Sequence, residues 1–465
     1  MRTIKSVNPA TNELLKEFDT ITPDALQAVV SKADEAFNAW KETSFAQRAA
    51  ILNKAADLMM SKQRYYAELV TLEMGKKIME SLAEVEFSSE YFRYYANNAE
   101  ALLADKKIDT PLGDSWLSYE PIGVLLSVQP WNFPYYQVLR VAAPQLMAGN
   151  AMILKHASNV PQCAEAISGI LSEAGLPDGV FTNVFLPGSE VEQLLDDSRV
   201  RGVMFTGSEK AGASIASAAG RNIKKATLEL GGSDPLIILD DADLDTAFLA
   251  AINGRMYNAG QACVSPKRII IQESIAEKFL EKATAIFDTL KTGDPMDTET
   301  DIPPLSSESA VEEILSQIER AVHEGARLIR GGYRPNRKGA YIEPAILTGI
   351  TPGMTAFKEE IFGPVLMVYK VRDDQEAITL ANATDFGLGG AVFGSDVRAV
   401  AIARKIESGM VYVNTLTAAS PERPFGGTKN SGFGREQSEA GIMEFVNVKN
   451  IVVANGARRS NNDMR

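Results

Sequence analysis

Hydrophobic positions in the first hundred residues recur every three or four residues, a period that predicts helices. Thr22 and Pro23 precede the first of these periods and are typical of a helix start. Ser44 is followed three positions later by Gln47, a spacing that predicts a capping box. The apolar positions of the first period are Leu26, Val29, Val30, Ala33, Phe37 and Trp40.

The pattern changes at the segment PIGVLLSVQPW, which begins at Pro121. From here short β-rich runs alternate with helical periods, and the runs cover 124–128, 151–154, 180–186 and 203–205. A second block of the same kind begins near Pro235 with PLIILDDADLD and continues to MVYVN near Val413. Strands that alternate with helices predict parallel α/β sheets.

Two short strand candidates lie outside these blocks, SWLSYE before the first and NVKNIVV after the second. They are far apart in sequence and have polar flanks. We expect that they could pair in a small separate sheet.

Composition narrows the classes of function. The chain has 465 residues, of which 45% are hydrophobic and 23% charged, as in ordinary soluble proteins. Because single cores stop growing beyond roughly 250 to 300 residues, we expect two or more domains. The net charge of −13 argues against nucleic acid, whose phosphates are bound by concentrated Lys and Arg. Without a signal core or a window of about 18 apolar residues, we expect neither secretion nor contact with a membrane.

The cysteines and histidines are few. Cys163 and Cys263 are the two cysteines, and they cannot form a disulfide framework or a zinc site of usual ligand spacing. A reducing cytoplasm fits this usage. With only His156 and His323 available, chemistry that needs a histidine base or histidine metal ligands is poorly supplied, and we expect no metal.

The two thiols have different surroundings. Cys263 lies in YNAGQACVS, where small residues and a following Ser-Pro indicate a tight loop. Cys163 lies in PQCAEAISGI on an apolar helical face, which predicts a core position. Cys263 is therefore the candidate for chemistry, and an inert, packed thiol is its alternative.

Six motifs occur in order along the chain: PWNFP at Pro130, FTGSEKAG at Phe205, LELGGSDP at Leu228, NAGQAC at Asn258, EEIFGPV at Glu359 and PFGGTKNSGFGRE at Pro424. Together they resemble the aldehyde dehydrogenase superfamily over essentially the whole chain. The resemblance implies an α/β fold with three parts. These are a Rossmann-type dinucleotide-binding domain at 1–107 and 123–230, an α/β catalytic domain at 231–430, and a small β oligomerisation arm at 108–122 and 444–465.

The resemblance also implies three catalytic roles. Cys263 matches the nucleophile, which attacks the aldehyde carbonyl as a thiolate. Asn132 matches the side-chain donor to the resulting oxyanion, although it could instead cap the helix that starts near Tyr135. Glu229 matches the base that activates water for thioester hydrolysis, and a surface Glu at a strand end is its alternative. Gly231 and Gly232 indicate a close backbone approach there.

No convincing G-x-G-x-x-G dinucleotide-binding motif lies between a strand and a helix. The family instead has two glycines five positions apart, and the resemblance implies that Gly207 and Gly212 are these cofactor-binding glycines. Lys155 is followed three positions later by Ser158, where NAD-preferring relatives carry an acidic residue. A carboxylate would repel a 2′-phosphate, so serine beside an ammonium favours NADP, with NAD as the weaker alternative. Other residues that match the cofactor site are Trp131, Ser208, Gly231, Glu360 and Phe362.

Arg140 lies among apolar residues, where an unpaired guanidinium would be costly, so it needs an anionic partner. In succinate-semialdehyde dehydrogenases an arginine here and a serine at the position of Ser420 hold the distal carboxylate. A salt bridge to a neighbouring Glu is the structural alternative for Arg140. The match is incomplete, because Tyr257 stands where many of these enzymes carry a further arginine, so we expect Tyr257 at the substrate site and fewer charges on the carboxylate. Ser265 replaces a second cysteine found in some members, so a disulfide switch at Cys263 is not expected.

We therefore expect an NADP-preferring aldehyde dehydrogenase that converts succinate semialdehyde to succinate, as a cytoplasmic homodimer or homotetramer. Three alternatives stay open. Non-phosphorylating oxidation of glyceraldehyde 3-phosphate is the first, but it would need more cations near the pocket than Arg140 alone. Transfer of the acyl group to coenzyme A is the second, but it would not need Glu229 as a base. A cofactor-binding protein without turnover is the third, but it would not need Cys263, Glu229 and Asn132 together.

Overall fold

The structure is a computed structural model that describes residues 2–454, and it opens with an antiparallel hairpin. Strands β1 (Thr3–Asn8) and β2 (Glu13–Asp19) form this hairpin, so the prediction that the chain starts with helices is wrong. The reason is that β2 buries only Phe18 and leaves Leu14 and Leu15 exposed. No alternation of hydrophobic positions therefore marks the strand.

Four helices follow, and both predicted caps are confirmed. The Thr22 hydroxyl accepts a hydrogen bond from the Ala25 N–H at 3.3 Å. Ser44 and Gln47 form the reciprocal capping box, in which each side chain accepts from the other residue's backbone N–H at 3.2 and 2.8 Å. The helices are α1 (Pro23–Trp40), α2 (Phe45–Ser61), α3 (Gln63–Met74) and α4 (Ile78–Leu102).

A small antiparallel sheet comes next and is completed by the last strand of the described chain. It consists of β3 (Lys106–Ile108), β4 (Gly113–Pro121) and β18 (Val446–Ala454), with β4 in the middle. Asn447 pairs with Glu120 and Val453 with Asp114, so the two segments do pair as the sequence predicts. The remainder of the predicted arm, 455–465, lies outside the described residues.

The first large sheet has six strands in the order β17-β9-β8-β5-β6-β7. Five are parallel, and only the short β17 (Gly432–Phe433) runs antiparallel, against β9. The parallel strands are β5 (Val124–Gln129), β6 (Ala151–His156), β7 (Phe181–Asn183), β8 (Val200–Thr206) and β9 (Lys225–Glu229). The helices between them are α5 (Pro134–Ala148), α6 (Pro161–Ala174), α7 (Glu192–Asp196) and α8 (Glu209–Arg221).

The strand order of this sheet reverses beside β5. From β5 the chain moves outward through β6 to β7, then returns to the other side of β5 for β8 and β9. In open α/β sheets a ligand binds outside the carboxyl ends of the strands at such a reversal. Both faces of the sheet are buried, as expected for parallel strands: Leu125 and Met152 belong to one core, Leu126 and Ile153 to the other.

The second large sheet has seven strands in the order β12-β13-β14-β11-β10-β15-β16, all parallel except for the β12 pairing. Its strands are β10 (Pro235–Ile238), β11 (Arg268–Gln272), β12 (Arg327–Arg330), β13 (Ala345–Thr348), β14 (Val365–Val371), β15 (Ala391–Phe393) and β16 (Tyr412–Val413). Its helices are α9 (Leu244–Met256), α10 (Glu273–Phe287), α11 (Glu308–His323), α12 (Thr355–Lys358), α13 (Asp374–Asn382) and α14 (Asp396–Ala403), and α15 (Ser438–Met443) follows β17.

The observed architecture is thus an α/β fold with two large sheets and one small three-stranded antiparallel sheet, as the sequence predicts, together with the unpredicted two-stranded hairpin of β1 and β2. Within residues 2–454, no helix combines the length and apolarity needed to cross a bilayer.

Candidate active site

Cys263 lies in a tight loop between α9 and β11. Asn258, Ala259 and Gly260 all adopt positive φ, at 51°, 51° and 75°, so the backbone turns sharply just before the cysteine. A Cβ on Gly260 would lie 2.2 Å from the carbonyl oxygen of Gly363, which explains why glycine occupies this position. The loop predicted from the small residues is therefore confirmed, whereas Cys163 is fully buried in the core.

Two buried cations hold this loop. The Arg255 guanidinium donates to the Ser265 hydroxyl at 2.9 Å and to the carbonyl of Val365 at 2.7 Å. The Lys267 ammonium donates to the carbonyls of Ala262, at 2.8 Å, and of Cys263. Arg255 lies near the end of α9 and Lys267 directly before β11, so the loop that carries Cys263 is held from both sides.

The thiol is reactive only as the thiolate, so its pKa matters. Burial raises the pKa of Cys263 to about 11, while the charges of Lys267 and Arg140 act to lower it. The sulfur is therefore mainly protonated at neutral pH, and Cys263 would have to lose that proton to act as the predicted nucleophile.

Asn132 follows β5 and lies against the cysteine loop. Its Nδ2 donates to the carbonyl of Gln261 at 3.0 Å, and its own carbonyl accepts from Asn258 Nδ2 at 3.0 Å. The side chain is buried, and its Oδ1 accepts a long bond, 3.5 Å, from Gln137 Nε2. One N–H of the amide thus holds the loop while the second is available to a ligand.

Glu229 ends β9 and is buried, with no hydrogen-bond partner for either carboxylate oxygen among the described residues. Burial, with the nearby Glu436 carboxylate, raises the pKa of Glu229 well above its usual range, and Arg140 opposes the shift. A Cβ on Gly232 would lie 2.9 Å from the carbonyl oxygen of Cys263. The predicted close approach at this glycine pair is therefore confirmed, and it brings the Glu229 loop against the cysteine loop.

A cavity of about 500 Å³ opens onto Cys263. Arg140 and Tyr257, both predicted to bind substrate, line it. Ser420 does not line it: its residue neighbour Ala419 does, and the Ser420 hydroxyl donates to Glu422 Oε2 at 2.6 Å.

Arg140 has a protein carboxylate as its partner. Its Nε lies 2.6 Å from Glu436 Oε2, and both side chains are almost fully buried. Its terminal nitrogens donate to the Tyr136 hydroxyl and to Thr206 Oγ1, each at 3.2 Å. The structural alternative from the sequence, a salt bridge to a Glu, is therefore present, although that Glu is distant in sequence.

Several of the residues predicted to bind the cofactor lie at the strand reversal of the first large sheet. Trp131 follows β5, and its ring meets Phe362 edge-on at a centroid distance of 5.9 Å. Gly207 and Ser208 follow β8, and the Ser208 hydroxyl caps α8 by accepting from the Ala211 N–H at 3.4 Å. Gly212 lies on α8, where a Cβ would meet the Leu230 side chain at 2.5 Å.

Glu360 reaches the same region from the second sheet. Its carboxylate pairs with Lys267 at 2.9 Å and accepts from the Gly232 N–H at 3.2 Å. Gly231 lies beside it, since a Cβ there would be 2.6 Å from Glu360 Oε2. Glu360, which is predicted to bind the cofactor, and the cysteine loop are thus joined through Lys267.

Lys155 lies near the end of β6 and Ser158 directly after it, and their surroundings test whether the region suits an anionic cofactor. Lys155 is largely buried, and burial lowers the pKa of its ammonium. Among residues 2–454 it has neither a carboxylate partner nor a hydrogen-bond acceptor. Ser158 is exposed three positions later. A free cation beside a hydroxyl suits a phosphorylated ligand at this edge of the sheet.

A sequence profile of the aldehyde dehydrogenase family matches residues 1–451. The chain belongs to the aldehyde dehydrogenase family. A relative from Deinococcus radiodurans, named succinate-semialdehyde dehydrogenase (NADP+), is 44% identical over 96% of this chain and 94% of its own length. A relative from Mycobacterium tuberculosis with the same name and the suffix 1 is 44% identical over 97% of this chain and all of its own length.

Solved structures agree with this membership. A crystal structure of succinic semialdehyde dehydrogenase from Streptococcus pyogenes, in complex with NADP+, has a TM-score of 0.96 and 43% identity. The similarity covers 97% of this aldehyde dehydrogenase and the whole of that chain. The predicted family and fold are therefore confirmed.

Three buried residues of this aldehyde dehydrogenase were missed by sequence reasoning: Arg255, Lys267 and Glu436. Each is charged and lies in or near one of the six motifs, and charged side chains are rarely buried without a partner. Only Arg140 was predicted to need a partner on this ground. Arg255 and Lys267 stand eight residues before and four after Cys263, so the same argument would have found them.

Proposed function

We propose that the protein oxidises succinate semialdehyde to succinate with NADP+, through a thioester on Cys263. The observation that carries this proposal is the near full-length similarity, at 44% identity, to relatives named for that reaction. The geometry supports it, because a cavity opens onto Cys263 and the first large sheet has a strand reversal suited to a dinucleotide.

The first step is attack of the Cys263 thiolate on the aldehyde carbon. The carbonyl oxygen becomes an oxyanion, and the free N–H of Asn132 with the backbone N–H of Cys263 would donate to it. One donor in such a site contributes roughly 2.7 to 4 kcal/mol to the transition state. Because Asn132 also holds the carbonyl of Gln261, its amide is oriented before the substrate arrives.

A nicotinamide supplies the acceptor for the hydride that leaves the substrate carbon. The residues that would hold the cofactor are the α8 start at Gly207 and Ser208, with Lys155 and Ser158 near the adenosine end. Glu360 and Phe362 would contact the nicotinamide ribose and ring. The absence of a carboxylate at 158 favours NADP over NAD, because a 2′-phosphate would not be repelled there.

Glu229 would then remove a proton from the water that hydrolyses the thioester. Its burial supports this role, since a carboxylate with a raised pKa is a stronger base than an ordinary one. Proton acceptance requires the ionised form, so hydrolysis is expected to speed up as pH rises through the raised pKa of Glu229.

Arg140 would hold the distal carboxylate of the substrate, with Ser420 and Tyr257 nearby. In the structure Arg140 is paired with Glu436 and Ser420 donates to Glu422. A substrate carboxylate could accept from the remaining N–H groups of the Arg140 terminal nitrogens while Nε stays paired with Glu436, whereas Ser420 would have to exchange Glu422 for the substrate.

The decisive experiment measures NADPH and NADH formation with succinate semialdehyde and with butanal, which has the same chain length but no carboxylate. We expect faster turnover with succinate semialdehyde and NADP+, together with an acyl adduct on Cys263 in the intact protein mass. Aldehyde oxidation that persists after alkylation of Cys263 would refute the proposed chemistry.

The cofactor preference has a separate test. Ser158→Glu places a carboxylate beside Lys155, and we expect kcat/KM with NADP+ to fall at least about tenfold relative to NAD+. Ser158→Ala adds no charge and serves as the control. An unaltered ratio in Ser158→Glu would mean that the 2′-phosphate binds elsewhere.

We further propose that the protein is a cytoplasmic homodimer or homotetramer that assembles through the sheet of β3, β4 and β18. Three valines of β18, Val448, Val452 and Val453, are exposed on this sheet. Exposed apolar side chains on a strand at a sheet edge favour association with a second chain.

A further inference from the structure

Helix α5 begins directly after Phe133, an N-cap residue whose ring has no oxygen to accept a hydrogen bond. Asn132 is the alternative cap predicted from the sequence, but its amide is engaged elsewhere. Its Nδ2 donates to the carbonyl of Gln261 at 3.0 Å, and its Oδ1 accepts from Gln137 Nε2. The N–H groups in the first turn of α5 therefore need an acceptor from another element.

That acceptor comes from α4. Glu84 Oε1 accepts from the Tyr135 N–H at 2.9 Å and from the Tyr136 N–H at 3.3 Å. Because Pro134 is the first residue of α5, these are the two N–H groups that an N-cap side chain would bind. A carboxylate at this end also interacts favourably with the helix dipole. Glu84 thus caps α5 from a position 51 residues before Tyr135 in the chain.

The Glu84 carboxylate is itself held in place. It is 3% exposed and forms a buried ion pair with Lys76. The Lys76 ammonium also lies 3.6 Å from the centroid of the Phe133 ring, next to Asn132 in the chain. Because a buried ion pair seldom adds net stability, this arrangement favours a positional role for the pair.

Helix α4 also contacts the cysteine loop. Glu80 lies one turn before Glu84 on the same face and accepts from the Asn258 N–H at 3.2 Å. Asn258 Nδ2 in turn donates to the carbonyl of Asn132 at 3.0 Å. One helix thus holds both loops, and a change at Glu84 would displace Asn132 relative to Cys263.

From these contacts we propose that Glu84 is a positioning residue for aldehyde oxidation. By capping α5, Glu84 leaves the Asn132 amide free to face the substrate oxyanion and fixes the distance of that amide from Cys263. The inference rests on the proposed roles of Asn132 and Cys263, and it does not depend on which aldehyde is the substrate.

The first test compares two double variants that differ only in the acceptor. Lys76→Met with Glu84→Gln keeps an oxygen for the α5 N–H groups, whereas Lys76→Met with Glu84→Met removes it. Neither double variant leaves a buried charge without its partner. With succinate semialdehyde and with butanal, we expect kcat/KM to be at least about tenfold lower in the Glu84→Met double variant, because a small displacement of an oxyanion donor slows the reaction strongly. Equal values would overturn the inference.

The second test asks whether the loss acts through Asn132. In an Asn132→Ala background the two double variants should differ by less than about twofold, because the donor that Glu84 positions is then gone. An undiminished difference would overturn the inference. If Asn132→Ala slows the enzyme while the two double variants are equal, the inference alone is refuted. If Asn132→Ala is as fast as the unsubstituted protein, the proposed oxyanion donor is refuted and the inference with it.

Alkylation of Cys263 gives a readout that does not depend on turnover. The reaction of a thiolate with iodoacetamide forms no oxyanion, so the two double variants should react at rates within about twofold of each other. A parallel fall in alkylation and kcat/KM would indicate a general distortion of the site and would overturn the inference. Glu86→Met removes an exposed carboxylate of α4 and is the control for the helix itself.

Glu84→Asp provides the same test if methionine at this position prevents folding. It retains the charge beside Lys76 but withdraws the carboxylate by one methylene from the α5 N–H groups. We expect kcat/KM to fall at least about fivefold, and we expect this fall to vanish in the Asn132→Ala background. An unaltered kcat/KM in Glu84→Asp would also overturn the inference.

Discussion

At the residue scale, Lys267 is the cation most closely bound to the cysteine loop. Its ammonium donates to the carbonyls of Ala262 and Cys263 and also pairs with Glu360. Lys267 is the largest of the influences that lower the pKa of Cys263 against the effect of burial. The thiol and the predicted nicotinamide-ribose ligand therefore share one counter-ion.

Replacement of Lys267 by Met should make Cys263 less reactive. Because the pKa of Cys263 is raised to about 11, the thiolate fraction grows as pH rises and is lost as pH falls. Loss of the ammonium should raise this pKa by about one unit or more and slow alkylation by iodoacetamide about tenfold at pH near 8. Lys267→Arg keeps the charge and is the control. Equal alkylation rates in all three proteins would contradict the assignment.

The pair of Arg140 and Glu436 gives a second prediction. Arg140→Met leaves Glu436 buried without its cation and should lower the free energy of unfolding by about 3 to 5 kcal/mol at neutral pH. The loss should shrink as pH falls from neutral through the raised pKa of Glu436, because burial favours its neutral form and that form needs no cation. Urea denaturation measures both effects. The double variant Arg140→Met with Glu436→Leu should recover most of the stability, and failure to do so would mean that other contacts dominate.

At the element scale, the loop between α9 and β11 depends on backbone geometry as much as on side chains. Gly260→Ala forces a Cβ into the Gly363 carbonyl and into a left-handed conformation. We expect a loss of about 1 to 3 kcal/mol in stability and at least a tenfold loss in kcat, because Cys263 must move.

The control for Gly260→Ala is Gly169→Ala in α6, where a Cβ meets nothing within 4 Å. This second substitution should stabilise the helix by about 0.5 to 1 kcal/mol and leave kcat unchanged. Thermal unfolding and steady-state kinetics of both variants give the comparison. If Gly260→Ala changed neither the stability nor kcat, the loop would be able to accommodate the added Cβ.

Elements with strong local signals were predictable, and those held by distant contacts were not. The caps at Thr22 and Ser44 and the turn before Cys263 follow from adjacent residues. The hairpin of β1 and β2 was missed, because exposed Leu14 and Leu15 obscure its pattern. Glu436 lies 296 residues after Arg140 in sequence, so no local pattern could reveal their pairing.

At the scale of the whole molecule, the exposed valines of the small sheet predict that copies of the protein associate through this sheet. Val448 and Val452 are four residues apart on β18, so their side chains lie on the same face of the strand, and both are exposed. The double substitution Val448→Lys with Val452→Lys should shift the protein to monomers in light scattering after size exclusion, because it places charges in an apolar contact. Val397→Lys changes an exposed residue on α14, outside this sheet, and should leave the mass unaltered. An unchanged mass in the double variant would place the interface elsewhere.

The short strand β17 has a consequence for biosynthesis. It pairs with β9 through Gly432 and Phe433, so the strand that ends in Glu229 acquires its outer neighbour only from the last tenth of the polypeptide. While the ribosome is still translating the second half, the outer edge of β9 remains unpaired, and the Glu229 carboxylate lacks the residues that later enclose it. The nascent chain cannot become active by completing its amino-terminal half first. Competence for turnover is therefore acquired only near the completion of translation.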